Sequence, residues 1–449
     1  MKNQNTKNVK LGVPISMKRV FALSSLFIFI YFNPSLQLQG QTDTSRQRIL
    51  SHLSYLSSDD MGGRFPGTRQ DTLSAQYIRN ILYDYGYQYL AQDGLQPFYI
   101  NLTRASQSAS GNAIDDPAQR SAVHGANQVP TFNVVMSLFG KVDSLTETIV
   151  LGAHYDHLGM GGAGSGSRKP DGNAVHHGAD DNASGVAGIL EIAGKLALQR
   201  NELKRNIVVV AFGAEEQGIL GAKEFVRNPI EGVGKPVLML NLDMIGRMDS
   251  LQRLYIGGVG TFEGGESLIS ALPNPSQFTL HLSKEGYGPS DHTAFYASNI
   301  PVLYFHTGVH TDYHLPSDSF DKIEIARMKA ICDFIYEAIY QIATAPEAPR
   351  FQKAGPSEAS PRASFKVSFG IIPDFTSIDS VGLRVDFVTE GRPAEKAGMK
   401  PNDIIKFING KEVFNVYDYM ERLGELSAGE EVKVIVRRKE EMITLKIQL

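Results

Sequence analysis

The sequence predicts an α/β protein with a mostly parallel central sheet flanked by helices, followed by a small domain built of short strands. Four apolar runs between residues 148 and 305 are long enough for strands that are buried on both faces of a sheet. Helix-like segments separate these runs, and strands that alternate with helices are typical of a parallel sheet. After about residue 363 the chain has short strand-like runs separated by turn signals, and one helix-like segment.

The individual elements follow from the spacing of apolar residues. Buried strands are predicted at 148–153, 206–212, 236–242 and 300–305. Between the first two strands, residues 184–200 have apolar side chains at helical spacing, with Ser184 as the candidate N-cap. In the smaller domain, strands are predicted at 382–388, 403–408, 431–438 and 442–447, with a turn at Asn409-Gly410 and a helix over 416–426.

The composition narrows the classes of function. A chain of 449 residues predicts about two to four domains. The 44 Lys and Arg residues against 48 Asp and Glu give a net charge of −4, too close to neutral for a protein held on nucleic acid by its overall charge. The single cysteine, Cys332, excludes a disulfide framework and a cysteine-based zinc or iron–sulfur site. Any bound metal must therefore be held by His, Asp and Glu, and Cys332 is predicted to be a core residue.

The sequence indicates two boundaries between parts of the chain. The apolar run at 20–32 is shorter than the roughly 20 residues of a membrane-spanning helix and is typical of a signal peptide. The composition of residues 104–128 predicts a surface loop. Residues 344–362 are rich in Pro, Ala and Ser, which predicts a linker. We expect a signal peptide at 1–40, a first domain at 41–343, a linker at 344–362 and a second domain at 363–449. The expected location is periplasmic or secreted, with no stable membrane span; an uncleaved signal would leave the protein membrane-associated.

Acidic and imidazole side chains follow each of the four buried strands. These groups are His154-Tyr155-Asp156-His157, Glu215-Glu216, Asp243, and His306, His310 and Asp312-Tyr313-His314, with Asp180-Asp181 before the first long helix. Because the carboxyl ends of parallel strands meet at one edge of a sheet, we expect these side chains to converge. Such a set of nitrogen and oxygen ligands favours zinc, and the cluster would repel itself without bound cations.

These residues resemble the motifs of the clan MH zinc peptidases, which include aminopeptidase Y, the bacterial leucyl aminopeptidases and glutamate carboxypeptidase. HYDHLG, GADDNASG, GAEEQGILGA, NLDMIGR, SDHTAF and DYHLPSD occur in the family's order between about residues 45 and 343. The segment 57–78 resembles the Gly-Arg-x-Pro-Gly-Thr segment of exported members. The resemblance implies the zinc aminopeptidase fold and two Zn²⁺ ions. His154 and Asp243 would complete one zinc site, Glu216 and His314 the other, and Asp181 would bridge them.

The resemblance also implies roles for three further residues. Asp156 matches the acid that orients the His154 ring, Glu215 matches the general base, and Tyr313 lies where some members place a hydroxyl that stabilises the oxyanion. Spacing alone does not separate the bridging Asp181 from Asp180. In the family, the peptide bond after the bridging aspartate is often cis.

The implied function is hydrolysis of a peptide bond in a peptide or protein substrate, by a metal-bound hydroxide with Glu215 as general base, and removal of amino-terminal residues in particular. Some members have an Arg where this chain has Pro289, so dipeptidase or carboxypeptidase preferences stay open. A glutaminyl cyclase of the same fold and a non-catalytic peptide-binding protein are the alternatives.

His157, His306 and His310 are expected to support the site rather than bind metal. The glycine-rich loop 159–178 either lines the pocket or is solvated.

The last 87 residues resemble a bacterial PDZ domain, which implies a small β-barrel-like fold. Phe369, Gly370 and Ile371 match the loop that receives a terminal carboxylate. Such a domain adds an extended peptide to the edge of a sheet. The resemblance implies recruitment of a polypeptide or a partner; a domain that only packs against the peptidase is the alternative.

Overall fold

The computed structural model describes residues 34–101, 128–140, 147–162, 165–169, 173–355, 367–373, 382–388, 391–414 and 416–449. The apolar run predicted as a signal peptide, at 20–32, lies outside the described residues, and so does nearly all of the surface loop predicted at 104–128. Within the described part of the chain, no helix has the length and apolar character needed to cross a membrane.

The described residues form nine α-helices and fifteen strands. The helices are α1 (Pro34–Leu56), α2 (Arg69–Asp84), α3 (Gly185–Leu198), α4 (Leu220–Arg227), α5 (Gly265–Ala271), α6 (His292–Tyr296), α7 (Ile325–Thr344), α8 (Pro393–Lys396) and α9 (Val416–Gly424). The strands are β1 (Gln88–Tyr89), β2 (Leu95–Asn101), β3 (Gln128–Leu138), β4 (Glu147–His154), β5 (Asn206–Phe212), β6 (Lys235–Leu242), β7 (Arg253–Gly257), β8 (Thr279–Leu282), β9 (Val302–His306), β10 (Ile371–Pro373), β11 (Leu383–Val388), β12 (Ile404–Ile408), β13 (Lys411–Glu412), β14 (Glu431–Arg438) and β15 (Glu441–Gln448).

The first nine strands form one sheet in the order β1-β3-β5-β4-β6-β9-β7-β8, with β2 paired to β3. The four central strands, β5, β4, β6 and β9, are parallel to one another, and β3 and β7 flank them in antiparallel orientation. These central strands are the four buried strands predicted from the sequence. The predicted α/β class, with a parallel centre and flanking helices, is confirmed.

Helices cover both faces of this sheet, which is why its central strands are apolar without alternation. Ile149 and Leu151 of β4 pack in the cluster that includes residues of α1, α2, α3 and α7. Val150, between them, packs in the cluster on the opposite face, with residues of α4 and α6. The two layers of helices hold the strands rigidly, so the strand ends are fixed positions for functional side chains.

The helix predicted at 184–200 is α3, but its start differs from the prediction. Ser184 has helical backbone angles and its side chain does not cap α3. Its hydroxyl instead donates to the carbonyl oxygen of Asp180 and accepts the N–H of Ile245. The expected N-cap is thus wrong, because Ser184 belongs to the irregular turn at 179–184 that precedes the helix.

Part of the segment predicted as a linker is docked on the larger domain. The backbone of Gln352 donates to Thr261, and Phe351 forms a β-bridge with Phe262. The Ala354 N–H and carbonyl both bind the hydroxyl of Tyr296, at 2.8 and 2.7 Å. We call residues 350–354 the docked segment.

The remaining six strands form an antiparallel sheet in the order β10-β11-β12-β14-β15, with β13 paired to β12. A separate apolar cluster, which includes Phe369, Val385 and Val434, forms the core of this region. Asn409 and Gly410 join β12 to β13 with φ angles of 48° and 81°. Positive φ at both positions is what a two-residue hairpin turn requires, and this residue pair supplies it.

Candidate metal centre

The ends of the central strands bring the predicted ligands together. β4 ends at His154, Asp243 directly follows β6, and Glu216 lies in the turn after β5. His154, Asp181 and Asp243 are buried, and Glu216 is partly buried. The parallel topology therefore gathers, at one edge of the sheet, side chains that are far apart in sequence.

Asp181 lies between the two predicted histidine ligands. Its Oδ1 is 3.3 Å from Nε2 of His154, and its Oδ2 is 3.3 Å from Nε2 of His314. Each oxygen of one carboxylate thus faces a different imidazole, the arrangement that a carboxylate bridging two cations requires.

The other ligands complete two groups around this carboxylate. Nε2 of His154 is 3.4 Å from Oδ1 of Asp243, and Nε2 of His314 is 3.2 Å from Oε2 of Glu216. One ligand atom from each of His154, Asp181 and Asp243 lies within 4.8 Å of the others. The structure therefore brings together all five side chains predicted to hold metal.

His157 lies closer to this centre than the sequence indicates. Its Nδ1 is 2.9 Å from Oε1 of Glu216 and 3.8 Å from Oδ2 of Asp181. His157, Asp181 and Glu216 form a second group of ligand atoms within 4.8 Å of one another. The ring is fully buried, so His157 is a direct neighbour of two predicted ligands.

The electrostatics of the centre are those of opposite charges packed together. Burial acts to raise the pKa of Asp181, but its contacts with His154 and His314 outweigh burial and hold the pKa well below its usual range. Burial likewise acts to raise the pKa of Glu216, and His314 and His157 lower it to about 2. Burial acts to lower the pKa of both His154 and His314, and the surrounding carboxylates raise it well above the usual range. The raised pKa values favour protonated imidazoles beside these carboxylates, and a bound cation would compete with those protons.

The donor set fits zinc. Nε2 of His314 and Nε2 of His157 are buried and make no hydrogen bond among the described residues, although carboxylate oxygens lie 3.2 and 3.3 Å from the His314 nitrogen. Nitrogen and oxygen ligands without cysteine suit zinc at a catalytic site. The residues that would hold the metal are His154, Asp181 and Asp243, with Glu216 and His314 beside them.

The turn that carries Asp181 is fixed by its neighbours. The Asp181–Asn182 peptide bond is cis, as the resemblance implies. The Asn182 side chain donates to the carbonyl of Leu242 and accepts the N–H of Met244, which ties the turn to the residues on either side of Asp243. The buried carboxylate of Asp318 accepts the N–H groups of Asp180 and Asp181. The sequence pattern does not identify Asp318, since its contacts join residues 138 and 137 positions apart.

Asp180 and Asp181 have different partners, a distinction that spacing alone did not provide. Asp180 accepts the N–H of Gly246 at 2.7 Å and contacts Nε2 of His310 at 3.1 Å. Arg247 in turn donates to Nδ1 of His310, so the His310 proton lies on Nε2, directed at Asp180. Asp180 thus faces a supporting network and not the two histidine ligands.

Asp156 supports the turn after β5. Its carboxylate accepts the N–H of Glu215 at 2.9 Å and that of Glu216 at 3.3 Å. Its carboxylate lies 3.7 Å from Nδ1 of His154, while its backbone carbonyl is closer, at 3.2 Å. The orienting role of Asp156 stays a prediction, and its carboxylate fixes the backbone of the predicted general base.

Glu215 is buried near a second acid, Asp291 of the SDHTAF motif, to which the sequence pattern assigns no role. Asp291 is fully buried, and neither of its carboxylate oxygens has a hydrogen-bond partner among the described residues. Burial, and then the charge of Glu215, raise the pKa of Asp291 well above its usual range. The raised pKa favours the neutral form of Asp291 beside Glu215.

Two tyrosines face the carboxylate cluster. The ring of Tyr313 stacks on that of His314 at 3.8 Å. Tyr304 of β9 pairs with Asn241, on the same face of the sheet as Asp243, and its ring stacks on His292 at 4.3 Å. Burial and the nearby carboxylates raise the pKa of both phenols well above the usual range, so both keep their protons. The sequence pattern does not identify Tyr304 as a site residue, because it lies within an apolar run that predicts a strand.

The predicted PDZ loop lies at the start of β10. Phe369 is buried against the ring of Tyr419, Gly370 has a φ of 77°, and Ile371 begins the strand. β10 is at the edge of its sheet and pairs only with β11 among the described strands.

Comparison with known proteins agrees with both parts of this architecture. The model of peptidase family M28 matches residues 133–339, and the PDZ domain model matches residues 363–449. The uncharacterized protein YfbL of Escherichia coli is 27% identical over 242 residues, which cover 47% of this chain and 71% of that protein. Aminopeptidase YwaD of Bacillus subtilis is 29% identical over 184 residues, which cover 38% of this chain and only 39% of YwaD.

The structure of BSAP, a zinc aminopeptidase from Bacillus subtilis, has the same fold. It aligns with a TM-score of 0.51 and 19% identity, over 68% of this chain and 96% of that one. The two domain matches, this fold and the convergence of His, Asp and Glu at the strand ends point to one assignment. Residues 133–339 of the chain are a peptidase family M28 domain, the domain of the zinc aminopeptidase family, and a PDZ domain follows at residues 363–449.

Proposed function

We propose that this protein is an exported dizinc aminopeptidase, with the ligand set His154, Asp181, Glu216, Asp243 and His314. The observation that carries the proposal is the position of Asp181, whose two oxygens each lie 3.3 Å from a different histidine Nε2. Two zinc ions held there would lower the pKa of a bound water and polarise the scissile carbonyl.

Glu215 acts as the general base. Its backbone is fixed by Asp156 and its carboxylate is buried, and burial raises the pKa of the neighbouring Asp291. Glu215 takes a proton from the attacking water and passes it to the nitrogen of the leaving amine as the peptide bond breaks.

Tyr313 donates a hydrogen bond to the substrate oxygen that becomes negative in the transition state. Its raised pKa keeps the phenol protonated, which this role requires. The stack of its ring on His314 holds the hydroxyl near the metal ligands.

The preference for amino-terminal residues rests on the relatives, since YwaD is named as an aminopeptidase and the BSAP structure is that of a zinc aminopeptidase. Pro289 replaces an Arg found in some members, so the substrate's free amine must be recognised by other groups. The PDZ domain binds an extended peptide at the β10 edge through Phe369, Gly370 and Ile371.

The general base is tested with Glu215→Gln. We expect kcat to fall at least about 100-fold while two zinc ions per chain remain bound, because the amide cannot take the proton but leaves the ligands intact. The matched variant Glu216→Gln should lose zinc as well as activity. Activity of Glu215→Gln within about tenfold of the wild type, with zinc bound, would refute the assignment.

The same measurements include substrates with free and with blocked amino termini, with and without chelator. An aminopeptidase cleaves only the free form and loses activity with the chelator. Cleavage of the blocked form would instead support a carboxypeptidase preference. Fewer than two zinc ions per chain, together with cyclisation of an amino-terminal Gln, would support a glutaminyl cyclase.

A further inference from the structure

The glycine-rich loop between His157 and Asp181 contacts the segment that carries Tyr313 and His314. The carbonyl of Gly166 lies 3.0 Å from Nδ1 of His314. Two residues later, the backbone N–H of Arg168 donates to the carbonyl of His314 at 3.1 Å. The loop therefore contacts both the side chain and the backbone of this predicted ligand.

The Arg168 side chain binds the same segment from the same side. Its Nη1 donates to the carbonyl of Thr311 at 2.9 Å and to that of Tyr313 at 3.2 Å. We call Gly166–Arg168 the clasp, because its backbone and its guanidinium together bind Thr311, Tyr313 and His314. The adjacent Lys169 is exposed.

The clasp has its own internal support. The Ser167 hydroxyl contacts Nε2 of the buried His176 at 2.8 Å and accepts the N–H of Lys169 at 3.0 Å. The N–H of His176 donates to Gly159 at 2.8 Å, and the N–H of Gly159 donates to Gly63 at 3.0 Å. The clasp is thus anchored to the body of the domain, and is not a freely solvated loop.

The segment that it binds needs such support. Tyr313 and His314 lie outside regular secondary structure, and His314 has a φ of 56°, in the left-handed region that non-glycine residues rarely adopt. A residue there stays in place only when its surroundings fix it. A hydrogen bond at Nδ1 also leaves Nε2 free to face Asp181 and Glu216.

We propose that Arg168 is a positioning residue, which holds His314 for the second zinc ion and Tyr313 for the substrate oxygen. The inference rests on the proposed dizinc function. It assigns a role to a loop that lies outside the ligand motifs.

The test compares Arg168→Gln with the matched control Lys169→Gln, which changes the neighbouring exposed cation. Binding of Zn²⁺ to the metal-free protein gives the affinity of each ion, and the visible spectrum of the Co²⁺-loaded protein reports ligand geometry. We expect Arg168→Gln to weaken one of the two ions about 10- to 100-fold and to alter the Co²⁺ spectrum. Lys169→Gln should match the wild type in both measurements.

Arg168→Lys keeps the charge but only part of the hydrogen bonding. Its affinity for Zn²⁺ should therefore lie between the affinities of the wild type and of Arg168→Gln. This milder variant also serves if Arg168→Gln does not fold. Thermal unfolding of the metal-free proteins separates a loss of metal affinity from a loss of fold.

Wild-type affinity for both ions and an unchanged Co²⁺ spectrum in Arg168→Gln would overturn the role of Arg168. A wild-type protein that binds two ions but hydrolyses no peptide would overturn the proposed function and leave the test of Arg168 intact. The two failures are therefore distinguishable.

Discussion

At the scale of single residues, Arg64 is a buried charge that backbone carbonyls stabilise by hydrogen bonds. Its guanidinium is fully buried and donates to the carbonyls of Tyr155, His177 and Gly178, and also to Leu56. Burial lowers its pKa to about 10, and Asp156 and Asp181 oppose that effect, so Arg64 stays charged at neutral pH. The residue ties the end of β4 to the turn that carries Asp181. This gives a physical role to the Gly-Arg segment, which the sequence identified only by resemblance.

His52, on α1, is a second buried titratable residue, and it is remote from the metal centre. Its ring contacts the hydroxyl of Tyr77 at 2.7 Å and its side chain is only 4% exposed. Burial, and then the charge of Arg48, lower its pKa to about 4. The neutral form is therefore favoured in the folded protein.

We predict that His52 makes folding sensitive to mild acid. Because the folded pKa lies below the unfolded value of about 6.5, the stability that His52 contributes is present above about pH 6.5 and is lost as the pH falls towards 4. The wild type should lose about 2 kcal/mol from this residue between about pH 7.5 and about pH 5. Urea unfolding of the metal-free wild type and of His52→Gln measures the difference. Parallel pH profiles for the two proteins would contradict the prediction.

At the scale of elements, the docked segment is the least expected feature. Its residues 350–354 follow α7 and pack on the larger domain, although their composition is that of a linker. The ring of Phe351 contacts that of Tyr296 at 5.6 Å, at the end of the helix that begins next to Asp291. The docked segment therefore supports the helix that presents Asp291 to Glu215.

Phe351→Ala should destabilise the peptidase domain by about 1–2 kcal/mol, because a half-buried ring loses its apolar contacts. The matched control is Lys353→Ala, since Lys353 lies in the same segment and is exposed. Urea unfolding measures both. Equal midpoints for the two variants and the wild type would mean that the segment behaves as a free linker.

At the scale of the whole molecule, the peptidase and PDZ regions have separate apolar cores and separate sheets. Separate cores are what independently folding domains require. The domain boundaries predicted at 41–343 and 363–449, and the recruitment of polypeptide by the PDZ domain, stay predictions.

Deletion of residues 363–449 tests the recruitment. We expect unchanged kcat/KM for a dipeptide substrate and at least about a tenfold lower kcat/KM for a long polypeptide, because the second binding site would raise the local substrate concentration. Gly370→Val is the matched point variant, since a side chain there would overlap Arg392 and distort the carboxylate-binding loop. Equal cleavage of both substrates by all three proteins would argue against recruitment.

Residue patterns predict the fold class, the four central strands, the metallopeptidase domain and the PDZ domain, and these predictions are confirmed. They do so because burial on both faces of a sheet leaves a continuous apolar pattern, and because His, Asp and Glu interrupt that pattern where each strand ends. Both signals are local in the chain, and periodicity detects local signals.

Other features are visible only in the three-dimensional packing. They are the different partners of Asp181 and Asp180, the contact of His157 with Glu216 and the contacts of Arg64 and Asp318. The tertiary structure also shows that the docked segment packs against the domain and that Ser184 does not cap α3. These features depend on contacts between residues that are far apart in sequence, and on backbone angles that the turns impose. Residue type and spacing do not predict such contacts individually. The contacts depend on how the sheet and its helices pack as a whole.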